Sequence, residues 1–175
     1  MNQTVKSKGI YFGIILGAIL SFITAASYAI DISFLLKPWL VGVNFLLVIV
    51  LGVIAISSVK KLLDGFISFK DAFSTFFMVI VIGFLISTLV AFLIFNVIDP
   101  EAKEVLKQMS IEKVTEMMES FNVPEDALDE AIAKIEETDS FSLASQVKSY
   151  FITLAMYSVI GLIVAAIMKK KNPEL

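Results

Sequence analysis

Side chains that could carry chemistry are few in this sequence, and most of them are acidic residues of one segment. The 175 residues include no His and no Cys, so an imidazole base, a thiolate nucleophile and histidine or cysteine metal ligands are excluded. Acid–base catalysis would instead need two carboxyl groups that meet in one site. No such pair falls within the long apolar stretches, because these contain no acidic residue. We therefore expect no enzymatic activity and no cofactor.

The acidic residues cluster between Asp99 and Lys148, where 13 acids accompany five lysines. Calcium is the metal that such a segment could bind, since its ligands are oxygen atoms. The calcium-loop pattern D-x-[DN]-x-[DN]-G is absent, however, and the carboxylates are spread along predicted helix faces. A charged surface exposed to water is the simpler interpretation, and we predict no metal site.

Two asparagines are candidate polar groups inside the apolar stretches: Asn44 in the second and Asn96 near the end of the third. Either amide could form a hydrogen bond between helices, and the alternative is a place in a polar pathway through the membrane. Ion-coupled transporters and proton relays usually need an intramembrane Asp, Glu or Lys. No such residue lies in any of the stretches, which argues against that class.

Four uncharged, apolar stretches must position these polar groups. Each has about 20 residues or more, the length that a helix rising about 1.5 Å per residue needs to cross a bilayer. The whole chain is 58% hydrophobic. The stretches are residues 9–30, 38–59, 72–98 and 149–168. The sequence therefore predicts an all-α integral membrane four-helix bundle, which forms a single membrane domain over residues 1–175.

The first stretch could alternatively belong to a cleaved signal peptide. Lys6 and Lys8 precede it, and Ser27-Tyr28-Ala29 resembles a cleavage site. Signal peptides have a core of about 7–15 apolar residues, however, and the stretch at residues 9–30 is longer. We therefore predict a retained membrane span.

The lysines predict the orientation of the four spans. Segments 1–8, 60–71 and 169–175 together hold eight lysines, whereas segment 31–37 holds one. Under the positive-inside rule the three lysine-rich segments are cytoplasmic, and so are both chain termini. The loop at residues 99–148 then faces outward, into the periplasm if the source is a Gram-negative bacterium.

The outward loop 99–148 carries helix signals. Asp99-Pro100-Glu101 is typical of a helix start, with an N-cap acid and a proline in the first turn. The apolar residues change phase near Ser110, which predicts a break or bend there. Asn122-Val123-Pro124 ends this element, and a second amphipathic helix follows. The sequence predicts an extramembrane acidic helical hairpin between spans 3 and 4, which is either a binding domain or a solvated cap.

The first span carries a predicted helix-packing seam of small residues at every fourth position. Its members are Gly9, Gly13, Gly17, Ser21 and Ala25. Such a ridge lets a second helix approach closely, and close packing is a main source of helix association in lipid. We favour packing inside the bundle over contact with a second subunit. The candidate partners inside the bundle are Gly83, Ser87 and Ala91 of the third span and Gly161 and Ala165 of the fourth.

Several short motifs occur together along the chain. They are the glycine-spaced first span, Ser58-Val59-Lys60-Lys61, Gly65-Phe66-Ile67-Ser68-Phe69-Lys70-Asp71-Ala72-Phe73, Asp99-Pro100-Glu101 and Lys169-Lys170-Lys171. This set resembles a bacterial membrane family catalogued as domain of unknown function 4199 (DUF4199). The resemblance covers essentially the whole chain. It implies a multi-pass protein with four helices in the bacterial cytoplasmic (inner) membrane, but it assigns no activity and no catalytic residue.

These features favour a non-enzymatic membrane assembly or interaction module. Besides the lipid bilayer, its partner would be a protein or a second copy of the chain, bound through the first span or the outer hairpin; no nucleic-acid partner is expected. The alternative is a small transporter or channel subunit that acts as an oligomer. An intramembrane enzyme is the least favoured hypothesis, because the residues for a catalytic site are missing.

Overall fold

The computed structural model describes residues 3–170, and six α-helices form within that range. They are α1 (Gln3–Ile30), α2 (Pro38–Leu62), α3 (Phe69–Leu93), α4 (Glu101–Ser120), α5 (Glu125–Glu137) and α6 (Leu143–Met168). A turn of π-helix, Ile94–Ile98, extends α3. Four of these helices are long and apolar enough to cross a membrane: α1, α2, α6 and α3 with its π turn. The predicted all-α fold with four membrane helices is confirmed, and the chain is an integral membrane protein.

Helix α3 lies at the centre of the bundle, in contact with α1, α2 and α6. The side chain of Phe76 on α3 is fully buried. Its ring occupies the space left by Gly52 of α2 and Gly161 of α6, and a methyl group added to Gly161 would lie 2.7 Å from the ring. Because lipid is as apolar as the side chains, such close packing, and not removal from water, holds the spans together.

The α2–α3 connection binds the end of α6 at one end of the bundle. Ile67 and Lys170 exchange backbone hydrogen bonds of 3.0 and 2.9 Å. The Lys60 ammonium donates to the carbonyl of Met168 at 3.0 Å, and the Lys170 ammonium lies 5.4 Å from the centre of the Phe66 ring. Several of these residues belong to the motifs that carry the family resemblance. Lys171 of the lysine triplet lies outside the described residues.

The opposite end of the bundle, where α1 and α3 end and α2 and α6 begin, carries α4 and α5; we call it the α4–α5 end. A short 3-10 helix, Ile32–Leu36, joins α1 to α2 there. The Asp31 carboxylate caps it by accepting a 2.9 Å hydrogen bond from the Ser33 amide. Hydrogen bonds from the Ser33 side chain and backbone hold the pKa of Asp31 below its ordinary value. The ammonium of Lys113 in α4 donates to the carbonyl of Leu36, which ties α4 to this connection.

The break predicted near Ser110 was wrong, because α4 continues from Glu101 to Ser120. The Ser110 hydroxyl donates to the Leu106 carbonyl at 2.7 Å, inside the helix. The apolar residues before Ser110 and those after it do not face one common surface, so the change of phase does not require the helix to bend. Leu106 is buried against the bundle, whereas Met117 is exposed.

Candidate functional site

A cavity of about 800 Å³ lies between α4 and α5 and the membrane bundle. Six parts of the chain contribute to its lining: α1, the 3-10 helix, α3 with its π turn, α4, α5 and the turn before α6. Its apolar side chains include Leu35, Leu36, Phe95, Leu106, Ile135 and Phe141. Binding cavities for small molecules usually measure about 300–1,000 Å³ and are mostly apolar, so both volume and lining fit such a site.

The π turn at the end of α3 positions one wall of the cavity. Phe95 in this turn is almost completely buried, and its ring lies 4.5 Å from that of Phe141, centroid to centroid. The amide of Asn96 donates to the carbonyls of Phe92 at 3.2 Å and Phe141 at 2.9 Å. The second bond joins α3 to the turn before α6, and it holds Phe141 against the bundle. Single π turns inside α-helices occur frequently at functional sites.

The first half of α4 forms a second wall, because it packs on the α4–α5 end of the bundle. Ala102 and Leu106 are buried in a small core with Ile94 and Phe95. Asp99 fixes the start of this helix. One of its carboxylate oxygens accepts the Tyr28 hydroxyl at 2.8 Å, and the other accepts the Ala102 amide at 3.2 Å. A carboxylate at this position also interacts favourably with the positive end of the helix dipole.

The charges at the cavity differ from those of the segment that covers it. Three of the five lysines between residues 99 and 148 line the cavity: Lys103, Lys107 and Lys134. Only two of the 13 acids do so, Glu104 and Asp139. An acidic segment thus presents a net positive charge to this cavity.

Two of the lysines have partners at the edge of the cavity. The Lys103 ammonium lies 3.5 Å from the carboxylate of Asp139, whose side chain is about half exposed (49%). The Lys107 ammonium donates to the backbone carbonyl of Glu136. Within residues 3–170, Lys134 forms no ion pair. The positive charge at the cavity is therefore only partly neutralised: one lysine has a half-exposed carboxylate partner, and the other two have none among the described residues.

The cavity spans the boundary between the apolar ends of the spans and the charged helices. On α1 it reaches Thr24, which lies six residues before the helix ends at Ile30. At about 1.5 Å per residue, this is roughly 9 Å below the end of the span. On α3 it reaches Ala91, and on the other side it ends among the lysines of α4 and α5.

The structure places the glycines of the predicted seam against α3 of the same chain. Methyl groups added to Gly9, Gly13 and Gly17 would lie 2.6–2.7 Å from the β-carbons of Met78, Ile82 and Ile86, respectively. These three α3 residues also recur every fourth position. Further along α1, the Ser21 hydroxyl is buried with no hydrogen-bond partner among the described residues, and Ala25 packs on the small core beside the cavity.

The two intramembrane asparagines are in different environments. Asn96 makes the two hydrogen bonds that support the cavity wall. Asn44 on α2 has a buried side-chain oxygen without a hydrogen-bond partner in the described part of the chain. Within residues 3–170 no hydrogen bond links the two, and neither lines the cavity. The described residues also contain no group of three or more acids placed to hold a metal ion.

Lys103, Lys107 and Lys134 are site residues that the sequence alone does not predict. One signal was present: Lys103 and Lys107 are four residues apart, which places them on one face of a helix. That spacing is also typical of a solvated helix surface, however. The cavity itself arises from contacts between segments far apart in the chain, and no local pattern encodes it.

Residues 11–170 match a family model described as "Protein of unknown function (DUF4199)". The matched range covers the whole lining of the cavity and all of α2 to α6. No curated protein and no solved structure matches the chain.

Proposed function

Since the chain belongs to the DUF4199 family of proteins of unknown function, we propose that it is a non-enzymatic interaction module of the membrane. The four spans anchor the protein, and α4 and α5 bind a ligand or partner where they meet the bundle. The observation that carries this proposal is the cavity of about 800 Å³ between these two parts. Natural domains fill most of their interior, so a space of this size is typical of a binding site.

The cavity lining supports binding more than catalysis. Its charged groups are three lysines and two acids, and one of these acids, Asp139, is paired with Lys103. The alternative function, a small transporter or channel subunit, would need a path through or between bundles. Apolar side chains such as Phe76, Ile80 and Val48 fill the described bundle core. A path would therefore have to run between copies of the chain, and no observation favours that arrangement.

The proposed location is the bacterial cytoplasmic membrane, with α4 and α5 outside and both termini in the cytoplasm. The lysine distribution supports this orientation, because Lys60, Lys61, Lys70, Lys169 and Lys170 all lie at the bundle end opposite to α4 and α5. A partner protein that binds α4 and α5 would then approach from the outer side. The glycine face of α1 is occupied by α3, so association of two copies would use another surface.

Native mass spectrometry of the protein in mild detergent tests the proposal. Ala131 lines the cavity, whereas Ala133 is exposed on the same helix. Ala131→Trp should block the cavity, and Ala133→Trp is its matched control. We expect the wild type and Ala133→Trp to retain a bound species that is not detergent, and Ala131→Trp to lose it. Ser110→Phe, from the α4 wall, provides a second block in case Ala131→Trp does not fold. The same retained species in all variants, or none in the wild type, would overturn the proposal.

A further inference from the structure

We infer that the cavity binds a single-chain amphiphile with an anionic head, such as a fatty acid or a lysophospholipid. The chain would lie on the apolar lining, and the carboxylate or phosphate would lie among Lys103, Lys107 and Lys134. This inference rests on the proposed function of the cavity as a binding site, and it names the chemistry of the ligand.

The apolar part of the cavity suits a hydrocarbon chain. Leu35 and Leu36 of the 3-10 helix, Phe95 of the π turn and Ile135 of α5 approach it from different sides. An apolar chain in contact with these side chains leaves no polar group unpaired. A polar ligand of the same size would have to leave several groups without hydrogen bonds, which costs free energy for each group.

The charged part suits an anion. Three of the five lysines in this strongly acidic segment line the cavity, so most of the segment's positive charge lies there. Ammonium groups form charge-assisted hydrogen bonds with carboxylate and phosphate oxygens alike. A cationic head would instead meet like charges. A neutral head would gain no electrostatic attraction.

The apolar part of the cavity lies at the level of the spans, and its charged part lies beyond their ends. Its apolar side begins at the level of Thr24 and Ala91, within the spans. Its lysines lie on α4 and α5, beyond the ends of the spans. An amphiphile in a bilayer has the same arrangement, with its chain in the hydrocarbon and its head at the interface. It could therefore enter the cavity without reversing its orientation.

Asp139 provides a substitution that should strengthen binding, whereas the lysine substitutions should weaken it. Its carboxylate lies 3.5 Å from the Lys103 ammonium, where a ligand head would bind. The bound head and Asp139 would then compete for the same lysine. The other carboxylate oxygen of Asp139 accepts the Phe141 amide at 2.9 Å, and an asparagine oxygen can accept the same bond. Asp139→Asn thus removes the competing charge and keeps the turn.

The experiment is a binding titration of the full-length protein in nanodiscs of neutral lipid at pH 8. The probes are palmitate, palmitoyl lysophosphatidate and the uncharged monopalmitoylglycerol, which carries the same chain. Lys103→Gln, Lys107→Gln and Lys134→Gln are tested singly and together. Lys148→Gln is the matched control, since Lys148 lies in the same acidic segment but does not line the cavity. Thermal unfolding of each variant verifies that it is folded.

We expect each single replacement of a cavity lysine to weaken binding of both anionic probes about two- to five-fold, and the triple replacement roughly 10- to 100-fold. Asp139→Asn should strengthen their binding, a result that loss of structure would not produce. Lys148→Gln should have no effect. Higher salt should weaken binding of the anionic probes and leave the neutral one unchanged. A preference for palmitate over the lysophosphatidate, or the reverse, distinguishes the two kinds of head.

Two outcomes would overturn the inference. One is equal affinity for the neutral and anionic probes, with the cavity variants equal to Lys148→Gln. The other is no binding of any probe while the wild type still retains a different species that Ala131→Trp loses. In the second case the cavity would remain a binding site, so the proposed function would stand. In the first case the proposed function would be decided separately, by whether Ala131→Trp loses the species that the wild type retains. Absence of probe binding together with absence of any retained species would reject both proposals.

Discussion

Replacing Gly13 of α1 with alanine tests whether the close contact of α1 and α3 holds the bundle together. The new β-carbon would lie 2.7 Å from the β-carbon of Ile82 and 3.2 Å from the carbonyl oxygen of Val79. Carbon atoms pack at about 3.5–4.0 Å, so the two helices must separate locally by roughly 1 Å. The contact to Ile82 involves a β-carbon fixed to the backbone, and a change of rotamer therefore cannot relieve it.

The expected loss of stability follows from this separation. Overpacking of a close-packed interface typically costs about 1–3 kcal/mol. Gly9 and Gly17 lie on the same ridge, with equally short approaches to α3, so the separation also weakens the packing at both. Alanine has a higher helix propensity than glycine by up to about 1 kcal/mol, which offsets part of the loss. The control must therefore isolate the propensity contribution.

Gly42→Ala is that control, because among the described residues no atom outside the neighbouring backbone of α2 lies within 4 Å of a β-carbon added at Gly42. Unfolding by SDS titration from mild detergent, followed through the fluorescence of the single Trp39, gives the free energy of unfolding. We expect Gly13→Ala to be less stable than Gly42→Ala by about 1–3 kcal/mol. Equal stabilities would refute the interpretation that the glycine ridge permits a close α1–α3 contact.

Two further predictions follow from the bundle. Phe76→Ala should lower the free energy of unfolding by about 3 kcal/mol, the low end of the range for soluble cores because lipid replaces water around the unfolded helices. The neighbouring Phe77 is exposed, so Phe77→Ala should cost clearly less in the same titration, and equal costs would contradict the central position of Phe76. Because the chain has no cysteine, Glu130→Cys in α5 and Lys61→Cys at the end of α2 can report the orientation. An impermeant thiol reagent should label only Glu130→Cys in intact cells, and labelling of Lys61→Cys alone would reverse the proposed orientation.

The spans could be predicted from the sequence because a membrane imposes a local rule. Each helix must satisfy its own backbone hydrogen bonds and present an apolar surface over a fixed thickness, and both properties can be recognised in one stretch of sequence. The helices include the predicted uncharged stretches and extend beyond them, as at Leu143, where α6 begins before the uncharged residues. There Ser142 caps the helix by accepting the Ser145 amide. Charged residues close to the membrane surface can continue a helix although they cannot enter the hydrocarbon.

The path of α4 and the cavity lining were harder to predict. A change of apolar phase at Ser110 indicated a break, yet α4 continues because its two apolar sets have different surroundings. Only the fold determines that Leu106 is buried while Met117 is exposed. In the same way, its position in an apolar stretch identified Asn96 as an intramembrane polar group, but it did not reveal the hydrogen bond to Phe141, 45 positions further along the chain.

The sequence by itself determined that this is a four-span membrane protein with a glycine ridge on α1 and a charged segment between α3 and α6. These are properties of single segments, fixed by hydrophobicity, residue size and charge. Only the tertiary structure decided that the ridge faces Met78, Ile82 and Ile86 of α3, and that three lysines of an acidic segment face a shared cavity. The physical reason is that both features depend on the distance between two elements, and close packing sets that distance through side chains of both.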